Sequence, residues 1–261
     1  MQKHNDNFYY TNIKRAFPDA TNIRKPKITG WGSDAIFIID TQNKTNICKF
    51  NHKNIILHNK YISDILNKNN ISVPKTTVHN FDQTWFETYE YRPEKTLHEL
   101  IIDGLSDQHI FLAYKSALEI QYKISQIDLS QIYNQKHPRY VDIIKYYDTM
   151  PTYIKLVYTA SALGKQYLLH NDIHPKNILY SPESEQAYLI DLDSIAISNF
   201  DMPSLSFLRN YPLRNYDELS AAYKCITGEK FNTLYIKILN KAINMPGAIK
   251  SRLSNFLFRH R

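Results

Sequence analysis

Two different spacings of hydrophobic residues divide the chain. Between residues 27 and 91 the apolar positions form short runs bounded by polar turns, a pattern typical of β-strands. The clearest runs are 35–39 and 46–50, which flank the polar turn 41–45. From residue 97 onward apolar residues mostly recur every three or four positions, which is typical of amphipathic helices. The sequence therefore predicts a β-rich segment followed by a mainly helical one.

The predicted elements define an α+β fold class. Residues 27–91 have the order βββαββ, with strands at 28–29, 35–39 and 46–50, a helix at 55–66, and strands at 76–79 and 84–91. The later part has predicted helices at 97–102, 110–127, 152–166, 217–226 and 234–243, and a hairpin at 178–180 and 187–190. Arg92-Pro93 interrupts the pattern. We predict a small antiparallel β lobe at 27–91, a larger mainly helical lobe at 92–261, and an N-terminal extension at 1–26 that adds a helix or strand to the first lobe.

Composition and charge limit the classes of function. The chain has 261 residues, 43% of them hydrophobic and 22% charged, which is ordinary for a globular protein. The net charge of +7 suits an anionic partner such as a nucleotide or a phosphosugar. The basic residues are scattered and no nucleic-acid-binding module is recognisable, so we expect no nucleic-acid partner.

The cellular compartment is predicted from what the sequence lacks. Cys48 and Cys225 are far apart and lack metal-ligand spacing, which favours a reducing compartment. The first residues have no apolar core of a secretory signal, and no run approaches the roughly 18 to 20 apolar residues of a membrane span. We therefore expect a soluble, cytoplasmic protein.

The most informative stretch is His170-Asn171-Asp172-Ile173-His174-Pro175-Lys176-Asn177, followed by Leu189-Ile190-Asp191. It places an amide five residues after a carboxylate, and a second carboxylate beyond a predicted hairpin. Phosphoryl transfer needs a carboxylate that orients the attacking hydroxyl and hard oxygen ligands for Mg²⁺. The alternative is that these are ordinary polar turn residues, but the match also includes His170, Pro175 and the apolar residues after Asn177.

These motifs resemble the catalytic and metal-binding motifs of the aminoglycoside phosphotransferase and choline kinase group. The resemblance implies a two-lobed protein-kinase-like fold over roughly residues 27–226, with ATP and Mg²⁺ as cofactors. It matches Asp172 to the catalytic base, and Asn177 and Asp191 to the Mg²⁺ ligands. His174 occupies a position where this group commonly has histidine. Lipopolysaccharide-core sugar kinases resemble the same pattern and remain a close alternative.

The same resemblance assigns nucleotide contacts to the first lobe. Lys49, on the third predicted strand, would reach the α- and β-phosphates. Backbone N–H groups of the segment Gly30-Trp31-Gly32-Ser33 would cover the phosphates, with Ser33 as the side-chain participant. Those glycines could equally serve only the turn. The main chain around Glu90 and Tyr91 corresponds to the hinge that binds adenine.

The sequence departs from the group's pattern at two positions. The group has a glutamate in the first-lobe helix that pairs with the strand lysine, but residues 55–68 contain only Asp64 as an acid. Either Asp64 substitutes, another group orients Lys49, or the lysine is less well held. The usual glycine two residues after the metal-binding aspartate is replaced by Asp193, which either touches a second metal or serves the turn.

The acceptor is predicted only by class. Seventy residues follow Asp191 and no Ala-Pro-Glu sequence appears among them, which favours a small-molecule or sugar/glycan acceptor over a protein. A protein kinase and a non-catalytic nucleotide-binding pseudokinase remain alternatives. The tail 249–261 is basic and amphipathic, which suggests either peripheral membrane contact or a terminal helix docked on the lobe.

Overall fold

An antiparallel five-stranded sheet forms the centre of the first of two units. A computed structural model describes residues 6–26, 35–133, 166–199, 211–213 and 216–228. Contacts between residues divide the chain into Met1–Glu94 with Ile190–Asp193, and Lys95–Leu189 with Ser194–Arg261. The sheet of the first unit has the order β1-β2-β3-β5-β4. Its strands are β1 (Asn22–Arg24), β2 (Ala35–Asp40), β3 (Thr45–Phe50), β4 (Thr77–Phe81) and β5 (Thr84–Glu90).

Turn chemistry explains the β2–β3 and β4–β5 hairpins of this sheet. In the β2–β3 turn, the N–H and hydroxyl of Thr41 both donate to the carbonyl of Lys44, at 2.9 and 2.8 Å. In the β4–β5 turn, Asp82 and Gln83 have φ of 50° and 65°, as a two-residue hairpin with the primed turn geometry requires. The strands predicted at 35–39, 46–50, 76–79 and 84–91 are confirmed with small changes of boundary.

An aromatic core joins the N-terminal residues to this sheet. Helix α1 (Asp6–Ala16) buries Tyr9 and Ile13. The ring of Tyr9 lies 4.7 Å from that of Phe50, which lies 4.8 Å from Phe86. Residues 22–24 pair with β2 as an edge strand. The N-terminal extension thus adds both a helix and a strand to the first unit.

Helix α2 (Lys53–Lys68) completes the first unit and begins and ends close to the predicted 55–66. Its buried stripe contains apolar residues at helical spacing, together with the polar residues Asn59 and Ser63. It packs against β4 and β5. One face of α2 therefore lies against β5.

A long helix organises the second unit. Among its described residues, this unit has the α-helices α3 (Leu97–Ile102), α4 (Asp107–Ser125), α5 (Ser130–Tyr133) and α6 (Tyr216–Thr227). The strands described there are β6 (Gln166–Leu169), β7 (Ile178–Ser181), β8 (Gln186–Leu189) and β9 (Ala196–Asn199). Helix α4 packs against β6, β8 and α6. The predicted hairpin at 178–190 is confirmed as the antiparallel pair β7–β8.

Strand β6 corrects one predicted boundary. The helix predicted at 152–166 lies outside the described residues except for Gln166, which begins β6 and pairs with Asn199 of β9. The sequence did not predict this ladder. The helix predicted at 234–243 and the tail 249–261 also lie outside the described residues. Across the ranges that are described, no helix is long and apolar enough to cross a membrane.

Candidate active site

The loop between β6 and β7 holds one carboxylate at a partly exposed position among buried neighbours. His170, Asn171, Ile173 and Asn177 are all buried. The side chain of Asp172 keeps 42% of its exposure. A polar group that stays accessible inside such a buried loop can contact a ligand, whereas an ordinary surface turn would leave its neighbours exposed as well.

Hydrogen bonds fix the backbone of this loop. The N–H of His170 donates to the side-chain oxygen of Gln121 on α4 at 3.0 Å. Asn171 has φ of 37°, and its side-chain amide donates to the carbonyls of Leu169 and Ser194 at 2.9 and 3.0 Å. Asparagine tolerates this left-handed conformation better than most residues. The N–H of Asp172 donates to the carbonyl of His170.

Asn177 and His174 both lie beside the Asp172 carboxylate. The Asn177 amide nitrogen donates to the Asp172 carbonyl at 3.0 Å and to its carboxylate at 3.3 Å. Nδ1 of His174 accepts from the N–H of Lys176, so the proton of a neutral ring is on Nε2. That Nε2 lies 3.5 Å from the Asp172 carboxylate. The predicted base and the predicted amide ligand are therefore in direct contact.

In the first unit, Lys49 is bound by two carboxylates. Its Nζ donates to Asp191 at 2.7 Å and to Asp193 at 2.8 Å. The Asp193 carboxylate also accepts from the amides of Asn51 at 3.2 Å and Asn59 at 2.5 Å. The structure therefore brings the predicted Lys49 and Asp191 together. It also adds Asp193, which contacts Lys49, and Asn59, which contacts Asp193; the sequence had predicted neither contact.

The charges of this cluster follow from burial and pairing. Burial acts to lower the pKa of Lys49, but the carboxylates of Asp191 and Asp193 outweigh it and hold the pKa well above its usual value. Lys49 is therefore a fixed cation at neutral pH. Glu87, which pairs with Lys49 across β3 and β5, has its pKa raised to about 8, chiefly by burial. Glu87 is therefore mainly protonated at neutral pH.

The missing helix acid is not replaced by Asp64. Lys60 donates to the Asp64 carboxylate one turn away on α2, at 2.5 Å, and both side chains are exposed. Of the three alternatives left by the sequence, the structure supports the second, in which another group orients Lys49. Asp193 is a candidate for that group, because its carboxylate contacts Lys49 directly.

The two predicted hinge residues differ in what their main chain can offer. The N–H of Tyr91 donates to the carbonyl of Thr45 at 3.0 Å, so this donor is already used. Glu90 is opposite Asn46 at the next position of the ladder. Because antiparallel strands alternate their hydrogen-bonding direction, the N–H and carbonyl of Glu90 point away from β3. The partner strand β4 pairs only as far as Thr88. Gly30, Gly32 and Ser33 lie outside the described residues.

Asp191 combines an unusual backbone with an accessible carboxylate. Its φ is 63°, in the left-handed region that non-glycine residues seldom adopt. Its side chain is 35% exposed although Lys49 beside it is buried. Strained backbone conformations are concentrated at functional sites, so the left-handed conformation of Asp191 favours a functional role for its carboxylate.

Each of the two predicted metal ligands, taken by itself, has an oxygen donor of the kind that Mg²⁺ takes. Within the described ranges, no group of three or more His, Cys, Asp or Glu is arranged to hold a metal. Mg²⁺ usually takes one or two protein oxygen ligands together with substrate phosphates and water. Asp191 offers a carboxylate, and Asn177 uses its amide nitrogen for Asp172, which leaves the amide oxygen as a hard acceptor.

Comparison with known proteins identifies the fold. No protein-family model matches the chain, and no curated protein matches it. Solved structures do: the spectinomycin phosphotransferase APH(9)-Ia with ADP and spectinomycin has a TM-score of 0.61 at 12% identity, over 87% of this chain and 82% of that one. The GDP complex of a mutant aminoglycoside 2'-phosphotransferase-IIIa has a TM-score of 0.63 at 14% identity, over 84% of this chain and 82% of that one.

A third structure extends the range of neighbours. The macrolide 2'-phosphotransferase MphH from Brachybacterium faecium has a TM-score of 0.57 at 11% identity, over 87% of this chain and 86% of that one. The chain therefore has the α+β, two-lobed protein-kinase-like fold, as the sequence predicted. Within that class, it has the fold of the aminoglycoside and macrolide phosphotransferases.

Replacing the buried acid Glu87 by glutamine is expected to change how stability depends on pH. Because the pKa of Glu87 is raised from 4.5 to about 8, its contribution to stability is fully present below pH 4.5 and is lost as pH rises towards 8. Glutamine mimics the protonated acid and removes this loss. The variant should gain up to about 1.4 kcal/mol per pH unit relative to wild type across this window.

Chemical unfolding of both proteins between pH 5 and pH 8 measures this difference. Glu119→Gln, an exposed change on α4, serves as the control and should follow wild type. If wild type and Glu87→Gln kept a constant difference in unfolding free energy over the whole range, Glu87 would not retain its proton in the folded state.

Proposed function

We propose that the protein transfers the γ-phosphoryl group of ATP to a hydroxyl of a small molecule. The observation that carries this proposal is the Asp172 carboxylate, which stays 42% exposed while the Asn177 amide orients it. The fold supports the proposal, because the neighbouring structures are of phosphotransferases. Asp172 would orient the acceptor hydroxyl and take its proton as the oxygen attacks phosphorus.

Lys49 and the hinge would bind the nucleotide. Lys49 is a fixed cation, and its ammonium has three N–H donors, of which Asp191 and Asp193 accept two; the third would donate to a phosphate oxygen. The main chain of Glu90 would hydrogen-bond adenine, and Tyr91 would contribute without its N–H, which Thr45 already uses. Gly30, Gly32 and Ser33 remain our candidates for covering the phosphates.

Asn177 and Asp191 would hold Mg²⁺. When bound, the ion supplies charge neutralisation on the phosphate oxygens. The Asp191 carboxylate and the Asn177 amide oxygen are suitable hard ligands. Their joint role rests on the motif spacing and on the exposed fraction of Asp191.

The acceptor class is proposed from the structural neighbours. The solved neighbours include a spectinomycin complex and enzymes named for aminoglycosides and macrolides. We propose a polar small molecule or a sugar or glycan as acceptor, and we place the reaction in the cytoplasm. The free thiols of Cys48 and Cys225 suit that reducing compartment.

A substrate screen tests the proposal. Purified protein is incubated with Mg²⁺ and either ATP or GTP against aminoglycosides, spectinomycin, macrolides, amino alcohols, monosaccharides and glycan fragments. We expect nucleoside diphosphate release that depends on one acceptor class, and a product carrying one added phosphoryl group by mass spectrometry. A parallel reaction contains labelled ATP and a mixture of proteins, to detect phosphoryl transfer to protein.

The outcomes separate the alternatives. Label transferred to protein and to no small molecule would support a protein kinase. Tight nucleotide binding with no transfer to any acceptor would support a non-catalytic nucleotide-binding module. If the protein bound neither ATP nor GTP, the proposed function would be wrong.

A further inference from the structure

A buried amide lies on α2, the helix in which the resemblance led us to expect an acid. Asn59 is only 2% exposed. Its amide nitrogen donates to Asp193 at 2.5 Å and to Glu87 at 2.8 Å. Both contacts lie within the first unit, as does Lys49. The helix therefore reaches the lysine through Asp193 rather than through an acid of its own.

The Asp193 carboxylate is held at both oxygens. Oδ1 accepts from Asn59, and Oδ2 accepts from Lys49 and from Asn51. Hydrogen bonds on both oxygens prevent the carboxylate from rotating, and charge-assisted bonds are the stronger kind. The direction in which Asp193 draws the lysine is therefore set by Asn59.

The residue types at 59 and 193 are matched to each other. An acid at 59 would add a further carboxylate beside Asp193, while Asp191 and Asp193 already contact Lys49, and burying an unbalanced charge is costly. An amide at 193 would leave Lys49 with Asp191 as its one carboxylate contact. We therefore expect one amide and one carboxylate at these two positions to satisfy the cluster in either arrangement.

From these contacts we infer that Asn59 and Asp193 act together as positioning residues for Lys49, in place of an acid on α2. The inference rests on the proposed function, because it assigns Lys49 to nucleotide binding. The group that the lysine needs as a partner has moved from the helix to the residue two positions after Asp191. Neither residue has to touch the nucleotide.

An exchange of the two side chains tests this inference. Asn59→Asp and Asp193→Asn each disrupt the pairing, and the double variant restores one amide and one carboxylate. Protonated Glu87 could then donate to the new acid. Each single change should weaken ATP affinity by about 10-fold, the size expected for a hydrogen bond to a charged group. The double variant should recover to within about threefold of wild type, since the paired chemistry is regained.

Two measurements make the result specific. Isothermal titration calorimetry gives ATP affinity with and without Mg²⁺, and thermal unfolding of the nucleotide-free proteins reports the pairing without any ligand. The midpoint of unfolding should fall in both single variants and rise again in the double variant. Asp64→Asn on the exposed face of the same helix is the matched control, and neither readout should change.

Three outcomes would overturn the inference. The single variants could bind ATP as wild type does, or the double variant could be as weak as the two losses combined. Asp193→Asn could also reduce only the Mg²⁺-dependent affinity while Asn59→Asp has no effect, which would make Asp193 a metal ligand. If wild type bound no nucleotide, the proposed function would fail, while the unfolding data would still show whether residues 59 and 193 are coupled.

Discussion

Replacing Asp172 by alanine is expected to lower kcat by about 10²- to 10⁴-fold, the contribution of a positioned general base. The loop should keep its shape, because its backbone is fixed by Gln121 and by the side chain of Asn171 rather than by the Asp172 carboxylate. Nucleotide affinity should change little, since Lys49 and the strand β5 are not part of this loop. The expected signature is therefore a loss in kcat with a nearly unchanged KM for ATP.

A second variant, Asp172→Asn, separates the loss of the base from the loss of the contact with Asn177. Asparagine keeps an oxygen for the Asn177 amide, but it cannot accept the proton of a hydroxyl. Both variants should therefore be slow, although the asparagine variant retains more of the loop geometry. Glu183→Gln, an exposed change near the β7–β8 turn, is the matched control. An Asp172→Asn protein that phosphorylated its acceptor at the wild-type rate would show that Asp172 is not the base.

The sequence predicts best where local pattern and local structure coincide. The strand at 35–40 has a continuous apolar run and the strand at 45–50 has three apolar residues, on the two sides of a polar turn, and the structure confirms both strands. The His170–Asn177 stretch is equally local: Asn177 contacts Asp172 five residues away within the same loop. Interactions of this kind depend on residues that are close in the chain, so spacing is enough to predict them.

The contacts around Lys49 could not be predicted in this way. Asn59 and Asp193 are separated by 134 positions, and their pairing depends on how α2 lies against the sheet. One signal was available, because Asn59 falls on the apolar stripe of the helix between Ile56 and Ile62. A polar residue in a buried stripe needs a polar partner, but the pattern does not identify that partner.

Short β-strand pairs and buried acids are also not predicted from the hydrophobic pattern. Strands β6 and β9 have four residues each, and four residues are too few to establish a period. Glu87 is buried beside Phe86 in a strand where alternation would expose one of the two. Its burial follows from the packing of α2 and from the amide of Asn59, neither of which is visible in the local sequence.

Replacing Asp191 by alanine is expected to abolish the Mg²⁺-dependent part of nucleotide binding. Changes to groups that only support a metal ligand typically cost about 10- to 100-fold in metal affinity, and loss of a ligand should cost at least the upper figure. Asp191 also accepts a hydrogen bond from Lys49, so some affinity should be lost without Mg²⁺ as well. The two effects are separated by measuring ATP binding with Mg²⁺ and with a chelator present.

In wild type, ATP affinity should rise when Mg²⁺ is added, and in Asp191→Ala it should stay the same. Asp82→Asn, which removes an exposed carboxylate paired with Arg15, is the control and should keep the full Mg²⁺ response. An Asp191→Ala protein with an unchanged Mg²⁺ response would refute its role as a ligand. If the variant lost ATP affinity by the same factor with and without Mg²⁺, Asp191 would affect the nucleotide only through its contact with Lys49. The comparison therefore decides which of its two contacts matters for the nucleotide.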